Sequence, residues 1–333
     1  MTSTFKGIVL SCIGGLYGVR LVCSDGTHQN VRCRARGHFR HNGISPLPGD
    51  DVSVLSEDGA GATEYVIDDV LPRRGELIRP PMANLTHLFL LIPACRPTPD
   101  LLTADKLCAI AEHAGVIPVI VIGKSDIDPD SSAHIAEIYR TAGFDTFQIS
   151  AVTGDGVERL GAYIDSAAED GVAVGCPVRA AFAGVSGAGK STLMSRLFPD
   201  LNLVSGDVSR KTARGRHTTR SVELFSRLTD SGAEFYLADT PGFSMIDFTR
   251  YNFFPASELA ESFREFRDCI GECRYKKCTH TKEEGCAVLR KMENGGIDSS
   301  RHQSYVAIYD ELKSKPEWKR QKEEAALTSR RRR

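Results

Sequence analysis

The sequence predicts an α/β protein in three parts: a small β-barrel, a mostly parallel sheet covered by helices, and a helical C-terminal part. Three observations carry this expectation. Short strand patterns crowd the chain between residue 5 and about residue 72; strongly apolar runs then alternate with helical stretches; and from about residue 250 the strands cease and a Cys/His-rich segment lies between helical ones. At 333 residues the chain has room for two or three domains, and 41% hydrophobic content with mixed charge suits a folded rather than a disordered chain.

The first part reads as five strands, "FKGIVLSC", "LYGVRLVC", "HQNVRCRARG", "DDVSVLS" and "EYVIDDVL", divided by Gly, Asp and Pro turns. Five short strands in so short a span fit an OB-like barrel. Arg32, Arg34 and Arg36 recur at period two, so they share one face of a strand, with Phe39 and Arg40 at its end. That combination suits a nucleic-acid groove, although a charge-protected strand edge would look similar. "RRGELIRPP" at 73–81 reads as a linker, because Pro80 and Pro81 stop regular structure. The second part then runs "HLFLLIPA", a helix over about 100–114, "IPVIVIGKSD", a helix over 131–142, "TFQIS", a helix over 156–169 and "VRAAFAGVSGAGKS". Such alternation implies a sheet covered on both faces. The third part holds the helical stretches "SELAESFREFRDCI" and "SYVAIYDELKSK", and ends in a charged tail. The expected divisions are 1–75, 76–248 and 249–333.

The longest apolar runs fall well short of the roughly 18 residues that a membrane span needs. The N-terminus reads as strands and a turn rather than a signal peptide, so the expected location is the cytoplasm. Ten cysteines there are more readily free thiols or metal ligands than disulfides. The net charge of −1 is unevenly spread: residues 1–50 carry six Lys/Arg against two Asp, and residues 313–333 carry nine against three Glu. Basic ends around an acidic middle suggest a polyanionic partner, with solvated basic faces as the plainer alternative.

The motif with the most chemistry is G-x-x-x-x-G-K-S, following a strand and opening a helix. Its glycines let successive backbone N–H groups face phosphates at a helix N-terminus. The binding set is Gly184, Val185, Ser186, Gly187, Ala188, Gly189, Lys190, Ser191 and Thr192, with Lys190 reaching the β- and γ-phosphates and Ser191 ligating Mg²⁺. Downstream, "FYLADTPGFS" places Asp239 at a strand end, where it can hold Mg²⁺ through water, and Gly242 where its amide can sense the γ-phosphate.

Upstream of that loop, "VIVIGKSD" resembles the Asn-Lys-x-Asp element of GTPases. Lys124 would pack on the base, and Asp126 would accept hydrogen bonds from guanine N1–H and N2–H₂. Ser150 and Ala151 in "ISAVTG" resemble the element whose backbone contacts guanine O6. Base recognition therefore precedes phosphate recognition, the order of a circularly permuted GTPase. Gly123 stands where the usual Asn ties the base loop to its neighbours, so nucleotide affinity is expected to fall while guanine preference survives.

Between the phosphate loop and Asp239, "TARGRHTTRS" has the composition of a mobile switch, in which Thr218 or Thr219 would complete the Mg²⁺ shell. Phe243 follows Gly242 where many GTPases have a water-orienting Gln. An apolar ring cannot do that, and His217 is the nearest polar candidate; its plainer reading is an exposed loop histidine. Further on, Cys273, Cys278, His280 and Cys286 form a C-x₄-C-x-H-x₅-C array suited to one closed structural Zn²⁺ site, with Cys269 as a competing ligand or a packed thiol.

Taken together, "GVSGAGKS", "GRHTT", "DTPGF" and the Cys/His array resemble the ribosome small subunit-dependent GTPase A family over nearly the whole chain. The resemblance implies a circularly permuted GTPase with a barrel and a zinc domain, His217 as the catalytic residue, and GTP, Mg²⁺ and Zn²⁺ as ligands. It implies binding to the 30S subunit and 16S rRNA late in assembly, subunit-stimulated hydrolysis and departure, by a monomer with no DNA or membrane partner. Two alternatives remain at this level: an RNA-binding assembly module with a mainly structural nucleotide site, and a small-molecule P-loop kinase, which lacks an evident lid or acceptor site.

Overall fold

A computed structural model of the chain describes residues 3–23, 25–37, 39, 45–58, 63–78, 80–199, 222–239 and 253–314. In chain order the elements are β1 (Ser3–Ile13), β2 (Leu16–Val22), β3 (His28–Ala35), β4 (Asp51–Asp58), β5 (Thr63–Val70), β6 (Glu76–Leu77), β7 (Met82–Ala83), β8 (His87–Pro93), α1 (Leu101–His113), β9 (Ile117–Gly123), α2 (Pro129–Thr141), β10 (Thr146–Gln148), α3 (Val157–Ala173), β11 (Arg179–Gly184), α4 (Lys190–Leu197), β12 (Glu223–Leu228), β13 (Glu234–Asp239), three short 3-10 turns within 256–269, α5 (Ala287–Glu293) and α6 (Ser299–Lys313). They fall into two compact units. One comprises Met1–His87, Ile164–Phe182 and Ser209–Pro241; the other comprises Leu88–Tyr163, Ala183–Val208 and Gly242–Arg333.

In the first unit, β1 to β5 pair in the order β1-β2-β3-β5-β4, and β1 also pairs with β4, which closes a five-stranded barrel. β3 and β5 run parallel, and the other neighbours are antiparallel. This is the OB-like barrel that the strand count predicts. Alternation is regular on β3: Val31 and Cys33 are buried, while Arg32 and Arg34 are exposed. Val9, Val19, Leu21, Val52, Val54 and Ile67 fill the interior with them. β12 pairs with β1, β13 with β12, and β11 runs parallel to β13. The fully buried Arg179 of β11 reaches the Asp51 carboxylate at the start of β4. The expected linker contains a small antiparallel pair, Leu77 opposite Met82 and Glu76 opposite Ala83, with Pro80 and Pro81 in the connection, where a missing N–H does no harm.

In the second unit, β10 pairs parallel with β9, and β9 neighbours β8. β8 is buried throughout and β9 at all but its first residue, as their unbroken apolar runs require. α1 and α2 start on side-chain caps: Asp100 accepts from Thr103 N at 3.0 Å and Asp128 from Ser131 N at 3.0 Å. Pro129 opens α2 at the one place where its missing N–H is harmless, so that helix begins two residues before the expected 131. The stretch 257–270 does not form the expected continuous helix. It makes 3-10 turns, in which Ala260, Phe263, Phe266 and Cys269, three residues apart, all turn inward. Among the described residues no helix is long and apolar enough to cross a membrane.

Candidate nucleotide site and metal centre

The phosphate loop forms as its sequence demands. Buried β11 leads out of the sheet, and α4 begins at Lys190 after Gly189, whose φ of 100° lies in the left-handed region that a side chain would disfavour. Ser186 and Gly187 are exposed along the loop, Ala188 is buried beneath it, and Lys190 is half-buried. Ser191 and Thr192 are exposed on the first turn of α4, whose apolar residues Leu193 and Met194 anchor it below. The backbone and the helix N-terminus thus have the arrangement that could hold a phosphate.

Lys124 follows β9, with a positive φ of 63°. Its ammonium donates to the Gly187 carbonyl at 2.9 Å and to the Arg96 carbonyl. The loop after β9 is therefore fastened to the glycine-rich loop, 63 residues further along the chain. Asp126 lies exposed beyond it. Gly123 has a packing reason of its own: a Cβ there would lie 3.2 Å from Leu91 Cδ1 and 3.3 Å from the Ala188 carbonyl oxygen. The loop at 150–154 comes alongside through Ser125 N, which donates to Ile149 O at 3.1 Å. Ser150 is fully buried, and its hydroxyl accepts from Thr153 N at 3.1 Å. One participant was not evident from sequence: Arg196 of α4 donates to the carbonyls of Ala151 at 3.2 Å, Val152 at 2.9 Å and Thr153 at 3.2 Å.

Asp239 closes β13. His217, Thr218, Thr219 and Gly242 lie outside the described residues, as does Phe243.

Cys273, Cys278, His280 and Cys286 come together with all four donor atoms within 4.8 Å of one another. Cys273 and Cys286 sulfurs are 3.9 Å apart, and His280 Nδ1 is 3.5 Å from each. Thiolates bound tetrahedrally at about 2.3 Å from zinc stand about 3.8 Å from one another, so the donor set and its spacing fit that ion. Burial pushes the Cys278 thiol up to about 12, so the free thiol keeps its proton until a metal displaces it. Cys269 stays outside the cluster as a buried thiol.

The surrounding shell holds the backbone between the ligands. Tyr305 OH donates to Thr279 O at 2.8 Å, and His302 Nε2 lies 2.8 Å from His280 O. Glu283 accepts from the backbone N–H groups of Thr279 at 2.8 Å and Thr281 at 3.0 Å. Burial would raise its carboxyl, but those bonds and the Thr279 hydroxyl prevail and hold it at about 2. Beside the cluster a cavity of about 480 Å³ is lined by Tyr275, Lys276, Lys277 and Tyr309.

On the barrel, Arg32, Arg34 and Arg36 are all exposed, and Arg36 pairs with Asp68 at 2.6 Å. Arg34 and Arg36 line a groove of about 510 Å³ with Gly14, Leu16 and Tyr17. Phe39 also borders that groove but is only 4% exposed, packed into the barrel core with Val31 and Cys33. Its ring therefore fills the barrel core at the floor of the groove, while the arginines face outward.

The model of the RsgA GTPase family matches residues 70–249 of this chain. The chain belongs to the RsgA GTPase family. A second match, to the RsgA N-terminal domain, covers residues 6–63. Proteins named small ribosomal subunit biogenesis GTPase RsgA are similar throughout: that of Ruminiclostridium cellulolyticum is 36% identical over 96% of this chain and 97% of its own. That of Moorella thermoacetica is 38% identical over 92% and 97%. Among solved structures, YjeQ from Thermotoga maritima has a TM-score of 0.74 at 29% identity, covering 94% of this chain and 100% of that one. YloQ, described as a circularly permuted GTPase, gives 0.70 at 30% identity, covering 94% and 97%. The fold is therefore a circularly permuted GTPase with an N-terminal barrel and a C-terminal Cys/His centre. As a member of the RsgA family the chain is a GTP hydrolase, a chemistry that implies GTP and Mg²⁺.

Proposed function

We propose that this chain is a GTPase of small ribosomal subunit biogenesis, which binds the 30S subunit in its GTP state, hydrolyses GTP when the subunit stimulates it, and then leaves. The observation that carries the nucleotide half is the bond from Lys124 Nζ to the Gly187 carbonyl, at 2.9 Å, because it joins the base loop and the phosphate loop into one site. The partner half rests on relatives whose names assign them to small ribosomal subunit biogenesis.

In this reading, Asp126 accepts the guanine N1–H and N2–H₂ donors, and the backbone at Ser150 and Ala151 meets O6. The amides of Gly184, Val185, Ser186, Gly187, Ala188 and Gly189 cradle the phosphates, Lys190 reaches the β- and γ-oxygens, and Thr192 adds to the first turn. Bound Mg²⁺ would neutralise charge on those phosphates, held by Ser191 and by Thr218 or Thr219, with Asp239 acting through water. Gly242 senses the γ-phosphate, and His217 orients the attacking water when the subunit is bound. Loss of the γ-phosphate then releases the switch contacts and weakens the grip. Cys273, Cys278, His280 and Cys286 hold one structural Zn²⁺. The working parts are 1–75, 76–248 and 249–333.

16S rRNA is the expected polyanion, met by Arg32, Arg34 and Arg36 on the barrel and by Arg274, Lys276 and Lys277 beside the metal cluster. The chain would act as a cytoplasmic monomer, without DNA or membrane partners. A mainly structural nucleotide site is less favoured, since the packing around Gly123 gives that glycine a reason other than decay.

Co-sedimentation with purified small subunits tests this function. Binding should be strong with a non-hydrolysable GTP analogue, weaker with GDP, and indifferent to ATP analogues. Equal binding in every nucleotide state would overturn the switch and leave an RNA-binding module.

A further inference from the structure

We propose that Arg196 is a positioning residue for guanine specificity: it holds the 150–154 loop so that the backbone N–H groups of Ala151 and Val152 face the base. The inference rests on the guanine-site reading above and adds a residue to it.

Arg196 sits in the second turn of α4, the helix that opens with Lys190 and Ser191. Its side chain is exposed, yet it takes no carboxylate partner among the described residues. Instead it spends its donors on three successive carbonyls, those of Ala151, Val152 and Thr153. A guanidinium is a planar fork of donors without an acceptor, so it can gather carbonyls that would otherwise turn freely toward water. The approach is close. Gly154 has a φ of 100°, and a Cβ there would lie 2.5 Å from Arg196 Nη2.

Fixing a carbonyl fixes the N–H at the other end of the same peptide plane, which points the opposite way. With the Ala151 carbonyl turned toward α4, the Val152 N–H is turned away from it. The held Thr153 carbonyl likewise sets the Gly154 N–H, which donates to Ser150 O at 2.9 Å and so fixes the peptide that carries the Ala151 N–H. The neighbouring donors are all occupied: Ser150 N donates to Asp155 O at 2.9 Å, Gly154 N to Ser150 O at 2.9 Å, and Thr153 N to Ser150 Oγ at 3.1 Å. Among the described residues, the Ala151 and Val152 N–H groups alone in this loop find no protein acceptor. Two free donors in a loop otherwise satisfied suit a ligand carbonyl such as guanine O6, which adenine replaces with a donor.

The same contact adds a side-chain tie on the 150–154 side of the site, beside the one that Lys124 makes to Gly187. With Gly123 in place of Asn, no side chain at that position can reach a neighbouring loop, and the Ser125 N to Ile149 O bond at 3.1 Å is a backbone link. Arg196 fastens the far side of the loop to the phosphate helix, so that base recognition is organised before the nucleotide arrives.

The test compares GDP and ADP affinities of the full-length wild type with those of Arg196→Ala, Arg196→Gln and Arg196→Lys, by calorimetry, alongside thermal melting. Arg196→Ala should bind GDP about tenfold more weakly while ADP affinity stays unchanged, so that the GDP/ADP ratio falls. Lysine, a point charge that can meet one or two of the carbonyls, should recover part of the ratio, and the melting temperature should not move. An Arg196→Ala protein that keeps the wild-type ratio, whether both affinities hold or both fall together, overturns the proposal. Should that variant melt early, Arg196→Gln keeps a polar side chain on the helix that is too short to span the three carbonyls, and an unchanged ratio there overturns it equally. A wild type with no preference for GDP over ADP would remove the guanine-site reading itself, and the proposal with it.

Discussion

Replacing Arg301 with methionine should destabilise the second unit by about 3–5 kcal/mol, the cost of removing one partner from a buried ion pair. Arg301 is 1% exposed, and so is Asp105, while Glu265 is 2% exposed. Its guanidinium donates to Asp105, to Glu265 Oε1 at 2.7 Å and to Glu265 Oε2 at 3.2 Å, and it lies 4.7 Å from the Phe263 ring centroid. These contacts fasten α6 to α1 and to the 3-10 segment. Methionine would fill much of the space but leave two carboxylates buried without a cation. Burial already pushes the Asp105 carboxyl up, against the pull of Arg301, and losing Arg301 raises it further. A group whose folded-state pKa exceeds its unfolded value binds more protons when folded, so its unfavourable contribution grows as pH rises. The penalty in Arg301→Met should accordingly be largest near about pH 8 and shrink toward about pH 5. Urea unfolding at both values, followed by circular dichroism, reads this directly. Adding Asp105→Asn and Glu265→Gln should return most of the loss, since no net charge is then left buried. A single-variant cost below about 1 kcal/mol, or a penalty that grows in acid, would refute the reasoning.

Three further outcomes are expected. Asp126→Asn should lower GDP affinity by about tenfold or more and erase the preference over ADP, because two donors of guanine lose their charged acceptor; an unchanged preference would remove Asp126 from the base site. Gly123→Ala should weaken nucleotide binding and lower the melting temperature, since its Cβ would press on the Ala188 carbonyl at 3.3 Å and on Leu91 at 3.2 Å; a variant with tighter nucleotide binding would show that the glycine is not held by packing. Metal analysis should find about one zinc per chain, and its removal by a chelator should unfold the segment around Cys273–Cys286, read as lost circular dichroism and protease resistance; a metal-free chain of unchanged stability would contradict a structural role.

Much of this was legible in the sequence, and the failures have identifiable physical causes. The barrel strands, the alternating sheet and the Cys/His array carry strong local signals: period two on β3, unbroken apolar runs in β8 and β9, and soft donors at close spacing. β12 passed unnoticed because "ELFSRL" buries only one residue outright and has no alternation to betray it. Residues 257–270 carry apolar residues three apart as well as four, and a period of three is what the observed 3-10 turns use. Phe39 looked available beside three arginines, yet only the closed barrel shows that its ring lies inside. Arg196 was invisible because its partners lie 43 to 45 residues upstream, and nothing about a helical arginine in isolation says that it faces carbonyls. His217, Thr218, Thr219 and Gly242 rest on motif and family likeness.

The central claim is that one guanine site drives a ribosome-coupled cycle, and phosphate release from GTP, with ATP as control, tests it most directly. Measured with and without purified small ribosomal subunits, release should be slow for the chain alone, rise strongly with subunits, and stay flat with ATP. Nucleotide binding without stimulation, or equal release from ATP, would contradict the account.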